Sequence, residues 1–185
     1  CVADECTAGD ALYTDLAAAL TTLLAGSNTD LGDLQTMVEM ATDDLSAAQD
    51  LADGEDLLAY AAAANDLNSY VKLNKFDSKV LRLTADGQAY VSLGGLLVAE
   101  DAGYTQLSDS AVTFNTAALV EAEKVAALNT DLAALLDDVQ AKLDADTEAG
   151  GDLEVQAAKA AAEAAKASTT QAQIALLELQ NTSND

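Results

Sequence analysis

Apolar residues along this chain recur at alternating steps of three and four. Between Ser110 and Asp146 the line is Val125, Leu128, Leu132, Leu135 and Val139. That spacing puts one apolar seam on a helix and suits a coiled-coil partner. A stretch of this length predicts a rod of about 50 Å, long for a globular helix. Gly150-Gly151 breaks the pattern, and a second helix is expected from Asp152 to about Gln180. Its expected seam is Leu153, Ala157, Ala160, Ala164, Ala167, Gln171 and Ile174. On its exposed face Glu163 and Lys166 are spaced to pair across one turn. The two runs together predict a long helical hairpin over 105–185.

The first part of the chain reads as shorter helices over 10–75. A first helix, Asp10 to Ala25, carries the stripe Leu12, Leu16, Leu20 and Leu23 and is expected to stop at Gly26. Ser27, Asn28, Thr29 and Asp30 are good N-cap types, so a new helix is expected there. It runs to about Asp53 with the most regular heptads in the chain: Leu31, Leu34, Val38, Ala41, Leu45, Ala48 and Ala52. Met37 and Met40 flank this seam as gap-filling side chains. After Gly54 a third helix, Glu55 to Val71, carries Leu57, Leu58, Ala61, Ala64, Leu67 and Tyr70.

The pattern changes over 76–104. Lys79 to Thr84 is rich in β-favouring residues, Asp86-Gly87 follows, and Ala89 to Leu93 alternates again. An Asp-Gly pair between two such runs is a hairpin signal. Leu96-Leu97-Val98, after Gly94-Gly95, could add a third short strand. The expected fold is therefore mainly α: an elongated antiparallel bundle or coiled-coil hairpin with a small β-hairpin insertion, preceded by a cysteine-containing segment at 1–9.

Composition narrows the function more than the fold. The chain has 185 residues, half of them apolar, with 4% aromatic residues and no tryptophan. Much of the apolar share is alanine, which buries little area but lets helices approach closely. Mean hydropathy is +0.09, too high for a disordered acidic tail. Thirty-two acidic residues face eight basic ones, for a net charge of −24. That balance argues against nucleic acid and against anionic lipid as partners. It also makes copies repel one another unless cations or low pH intervene. Halophilic adaptation gives a similar balance, although seven of the eight basic residues here are lysine. No run of apolar residues is long enough to span a membrane.

Histidine and proline are both absent. Without histidine the commonest general base, the commonest transition-metal ligand and the Ser-His and Cys-His nucleophile pairs are missing. Paired carboxylates could serve glycoside hydrolysis, but few aromatic residues are present to hold a sugar, and there is no glycine-rich phosphate motif. The chain is not expected to be an enzyme or to hold an organic cofactor.

Acidic clusters are the one chemical theme. Asp50, Asp53, Glu55 and Asp56 surround Gly54, and Asp144, Asp146, Glu148 and Asp152 surround Gly150-Gly151. Oxygen ligands gathered at a turn are what calcium needs, which makes these eight residues candidate calcium ligands. The second cluster matches the first three ligand spacings of an EF-hand. Its glycine comes one place late and its twelfth position is Val155, so it is not an EF-hand. The competing reading is solvated charge at helix ends. Asp43-Asp44 and Asp137-Asp138 read as solvated faces.

Lys72, Lys75, Lys79 and Arg82 hold half of the positive charge. They read either as a solvated cap on the bundle or as an assembly contact that receives an acidic neighbour. Cys1 and Cys6 are the only cysteines. A disulfide within or between chains, a lipid-bearing Cys1 and two free thiols remain open. Two cysteines without histidine make a poor zinc site. A first residue that is Cys and not Met predicts a processed, exported protein, and Asn181-Thr182-Ser183 matches a glycosylation sequon.

Taken with the heptads Leu31–Ala52 and Val125–Val139, this acidic composition resembles the trichocyst matrix, or secretory granule lattice, proteins of protists. The resemblance covers most of the chain in overall character and carries over no functional residue. It implies copies packed into a crystalline secretory core that expands on calcium-triggered discharge. The expected function is thus a structural, self-assembling subunit, secreted or stored in a secretory organelle. The alternatives are an exported helical lipoprotein anchored through Cys1 and a soluble acidic calcium-binding module.

Overall fold

The computed structural model describes residues 3–54, 56–146 and 153–183, apart from the side chains of 3–8, 170–173, 175–177 and 179–183. Among the described residues there are five α-helices and no strand. They are α1 (Ala3–Asp50), α2 (Leu57–Leu73), α3 (Phe76–Glu100), α4 (Thr105–Ala145) and α5 (Leu153–Ser183), with one 3-10 turn at Ala102–Tyr104. No helix of the described residues is long and apolar enough to cross a membrane. The mainly helical reading holds. The hairpin expected over 76–104 does not: that stretch is α3 and the 3-10 turn.

The physical reason lies in where the glycines sit. Phe76, Val80, Leu83, Tyr90 and Leu97 are buried. With Gly87 and Gly94 they form an unbroken series of steps of four and three. The two glycines are thus seam positions. A Cβ on Gly94 would come within 2.9 Å of the Ser108 Cα on α4, so only hydrogen fits. Residues that look like turn formers mark close helix approach. Thr84, a β-favouring residue, is buried and bonds back to the Val80 and Leu81 carbonyls at 2.9 and 3.0 Å, a bond that a helix supplies.

The break expected at Gly26–Asp30 is also absent, and the segment before Gly9 is helical from Ala3. The N-cap residue types are occupied otherwise. Asn28 Nδ2 donates to the Leu24 carbonyl at 2.9 Å and Thr29 Oγ1 to the Ala25 carbonyl at 3.2 Å, both one turn back. Ser27 lies on the buried seam. That seam is Ala17, Leu20, Leu24, Ser27, Leu31, Leu34, Val38, Ala41, Leu45 and Ala48. Of the stripe expected in the first helix, only Leu20 is buried. Leu12, Leu16 and Leu23 are 57%, 37% and 50% exposed. Over 51–54 the chain leaves α1 through i→i+3 bonds, such as Gly54 N to the Leu51 carbonyl at 3.0 Å. Asp56 caps α2 by accepting from Ala59 N at 2.9 Å.

The helices gather into two compact units, to both of which α1, α3 and α4 contribute. In the unit made from the chain up to Leu34 and Val80–Ala122, α1 and α3 run antiparallel. Asp30 pairs with Arg82 at 2.6 Å, and Ser27 Oγ lies 2.8 Å from Tyr90 Oη. Tyr90 also packs on Phe114 of α4 at 5.6 Å between ring centres. A hydroxyl pair and an aromatic pair therefore join three helices in one layer.

The other unit takes Gln35–Lys79 and the chain from Glu123 onward. Its part of α4 buries two rows: Val125, Leu128, Leu132, Leu135 and Val139, and beside them Asn129, Leu136 and Leu143. The second row meets more helix neighbours than a hairpin would supply. α5 lies antiparallel to α4, with ion pairs Asp144–Lys159 at 3.1 Å and Asp137–Lys166 at 2.5 Å. Its buried face is Val155, Ala162, Ala165 and Thr169, not the series that begins at Leu153, which is 81% exposed. Both faces are rich in alanine, so hydropathy alone does not fix the phase. The bulk of Val155 and the hydroxyl of Thr169 do.

A candidate site at the break between α2 and α3

α2 ends at Leu73 and α3 begins at Phe76. Between them Asn74 caps α2, its backbone and side-chain amides both donating to the Tyr70 carbonyl at 3.1 and 2.9 Å. Lys75 takes φ 55, the left-handed conformation that lets the chain end one helix and start another. Phe76, fully buried, anchors the new helix edge-on to Tyr70, with ring centres 5.8 Å apart.

The break opens a small cleft of about 140 Å³, lined by Asn68, Val71, Lys72, Lys75, Asp77, Ser78, Asn129, Ser168 and Thr169. Two hydrogen bonds form its walls. Thr169 Oγ1 lies 2.9 Å from Asn68 Oδ1 and 3.0 Å from the Ala165 carbonyl. Asn129 Nδ2 donates to Asp77 Oδ1 at 2.8 Å. Asn68, Asn129 and Thr169 are 8%, 2% and 3% exposed. Burial raises the Asp77 pKa above the ordinary carboxylate range, and the Asn129 bond offsets part of that rise.

Two of the four residues read as an assembly contact, Lys72 and Lys75, line this cleft, are exposed and make no ion pair among the described residues. Lys79 is half-buried with Nζ 3.8 Å from Met37 Sδ. Arg82 belongs to the other unit, where Asp30 neutralises it. The charge run in the sequence therefore separates into two unpaired cations, one packed stem and one surface ion pair.

Among the described residues, the candidate calcium ligands are not brought together. Asp50 and Asp53 are exposed at the end of α1, and Asp56 serves as a cap. Asp144 is held by Lys159 and by Gln140, which keep its pKa below the ordinary range. Asp146 follows the last turn of α4, its backbone amide bonded to the Lys142 carbonyl at 3.2 Å. Among the described residues no group of three or more acidic or cysteine side chains is close enough to hold a metal ion. Glu55, Glu148, Asp152 and Cys1 lie outside the described residues, as do the side chains of Cys6 and of the Asn181 sequon.

Asp137 and Asp138 are exposed, as expected of a solvated face, and each also has a partner. Asp137 pairs with Lys166 of α5. Asp138 Oδ2 accepts from the Tyr60 hydroxyl at 2.8 Å and from Lys142 Nζ at 3.2 Å. Lys142 also sits 5.4 Å from the centre of the Tyr60 ring and donates to the Ala52 carbonyl. Tyr60 and then Lys142 hold the Asp138 carboxyl below its usual pKa, while burial and that carboxylate push the Tyr60 hydroxyl well up. This cluster ties the turn after α1 to α2 and α4.

The cleft residues that the sequence reading missed are Asn68, Asp77, Asn129 and Thr169. The usable signal was a polar residue at a seam position. Asn129 falls in the row of Leu136 and Leu143, and Thr169 falls in the row of Ala162 and Ala165. Compared with protein-family models, with curated proteins and with solved structures, the chain matches none of them.

Proposed function

We propose that this chain is a structural, self-assembling subunit of an extracellular or secretory-organelle filament or lattice. The observation that carries the reading is a second apolar row on α1. Leu12, Leu16, Ala19, Leu23 and Gly26 are spaced by the same steps of four and three as the buried seams, yet all five are exposed. A row with heptad spacing is what one helix presents to another.

Gly26 strengthens the argument. A glycine inside a helix costs about 1 kcal/mol relative to alanine. At Gly87 and Gly94 that cost has an internal reason, since a partner backbone lies against each. A Cβ at Gly26 would meet nothing within 4 Å. A second copy laid along this row gives the glycine the close approach that the chain itself does not. In this reading the occupant of the row is another copy of the protein, and the net charge of −24 makes assembly depend on cations such as calcium. The granule-lattice resemblance points the same way. This function needs no catalytic residue.

Sedimentation of the wild type and of a Leu16→Gln/Leu23→Gln variant tests this. Both side chains are exposed, so the variant should keep its helicity and its melting temperature while sedimenting as a monomer. A variant that assembles as the wild type does removes the row from the account.

A further inference from the structure

The geometry points to an oxyanion-binding site in the cleft at the α2–α3 break, formed by Lys72, Lys75 and Asn68. The ligand class is a compact group bearing two or more anionic oxygens, a carboxylate or a phosphate. This goes beyond the assembly reading and does not rest on it.

Three independent features converge. First, Lys72 and Lys75 are exposed, line one cleft and make no ion pair among the described residues, on a chain with four acids for each base. On such a surface an unpaired lysine pair is the exception. Second, Asn68 is 8% exposed and its Oδ1 is engaged by Thr169, while its Nδ2 donor has no acceptor among the described residues. Third, the first turn of α3 begins here, and its leading amides have no intrahelical carbonyl to bond. The hydroxyls of Ser78 and Ser168 add donors at the rim.

Size sets the ligand class. A cleft of about 140 Å³ displaces a few waters at about 30 Å³ each. That room fits one carboxylate or phosphate group. Asp77 is the only carboxylate among the described residues that line the cleft, and Asn129 holds it at 2.8 Å. It opposes an anion, so neutralising it should strengthen binding.

The test titrates inorganic phosphate into the full chain at low protein concentration and constant ionic strength, following backbone amide shifts by NMR. The expected result is saturable shifts centred on residues 68–78, 129 and 168–169. A Lys72→Gln/Lys75→Gln variant should lose about tenfold or more in affinity. Asn68→Asp keeps the acceptor for Thr169 but removes the amide donor. It also puts a negative charge at a buried position, so it should lose both binding and some stability, whereas Lys72→Gln/Lys75→Gln, at exposed positions, should lose binding without losing stability. Asp77→Asn should bind more tightly than the wild type.

Particle size in the same samples distinguishes the source of the oxyanion. If the lysine variant loses phosphate binding but assembles normally, the ligand is a free oxyanion. If it also fails to assemble, and phosphate disperses wild-type particles, a neighbouring copy supplies a carboxylate. No saturable shifts in the wild type, or equal affinity in the wild type and both weakened variants, would overturn the site. Normal assembly would then leave the assembly reading standing alone.

Discussion

Gly87 of α3 faces Asn115 of α4 so closely that a Cβ built on the glycine would lie 2.6 Å from the Asn115 Oδ1 and 3.0 Å from its Cα. The amide can swing away, but the backbone cannot. One turn-forming residue type thus fixes how near two helices come.

Gly87→Ala and Gly94→Ala should each destabilise the protein, by about 1–3 kcal/mol, because overpacking against a backbone forces the helices apart. In the monomer, at low salt without added cations, Gly26→Ala should stabilise the fold by about 1 kcal/mol. Urea titration of the three variants checks both signs. A stabilising Gly87→Ala would mean that α3 and α4 do not approach as described.

The same glycines explain what the sequence reveals and what it conceals. The steps of three and four show that the chain is helical, and they place Leu31 to Ala48 and Val125 to Val139 on buried seams. They mislead wherever a seam place is taken by a residue with a second local meaning. Ser27 resembles an N-cap, but its hydroxyl reaches Tyr90. Gly87 and Gly94 resemble hairpin turns, but their missing Cβ admits α4. In α5, alanine on every face hides the phase until Val155 and Thr169 are placed. The cleft is less legible still, since Lys72 and Asn129 meet only through tertiary packing across a helix break.

Ser27 and Tyr90 form a buried hydroxyl pair. A double-mutant cycle with Ser27→Ala and Tyr90→Phe should give a coupling of about 1 kcal/mol. A value near zero would show that the pair does not hold α1 to α3.

Tyr60 should dominate the alkaline limb of stability. Its hydroxyl stays protonated in the fold above the ordinary tyrosine value of 10.0, where the unfolded chain ionises. Its contribution is therefore present below pH 10 and lost above it. Tyr60→Phe should cost about 2 kcal/mol at neutral pH, the worth of a hydrogen bond to a charged group, and should flatten that limb. Denaturant midpoints measured from pH 7 to 11 supply the comparison.

Asp77 carries the opposite sign from a salt-bridged acid. Its folded pKa lies above the ordinary 3.8, so the folded state holds the proton more tightly than the unfolded chain. Its contribution is most favourable below 3.8 and declines as pH rises through the folded value. Asp77→Asn keeps an oxygen for the Asn129 amide and removes that decline. The variant should gain on the wild type as pH is raised from acid to neutral. A constant difference between the two would show that Asp77 titrates as if exposed.

The central claim is that copies of this chain assemble along α1. Light scattering at low salt, with and without millimolar calcium and against sodium chloride of equal ionic strength, tests it most directly. The account predicts large particles once cations screen the charge of −24, more readily with the divalent ion, and none from Leu16→Gln/Leu23→Gln. A monomer of unchanged size in every condition would contradict it.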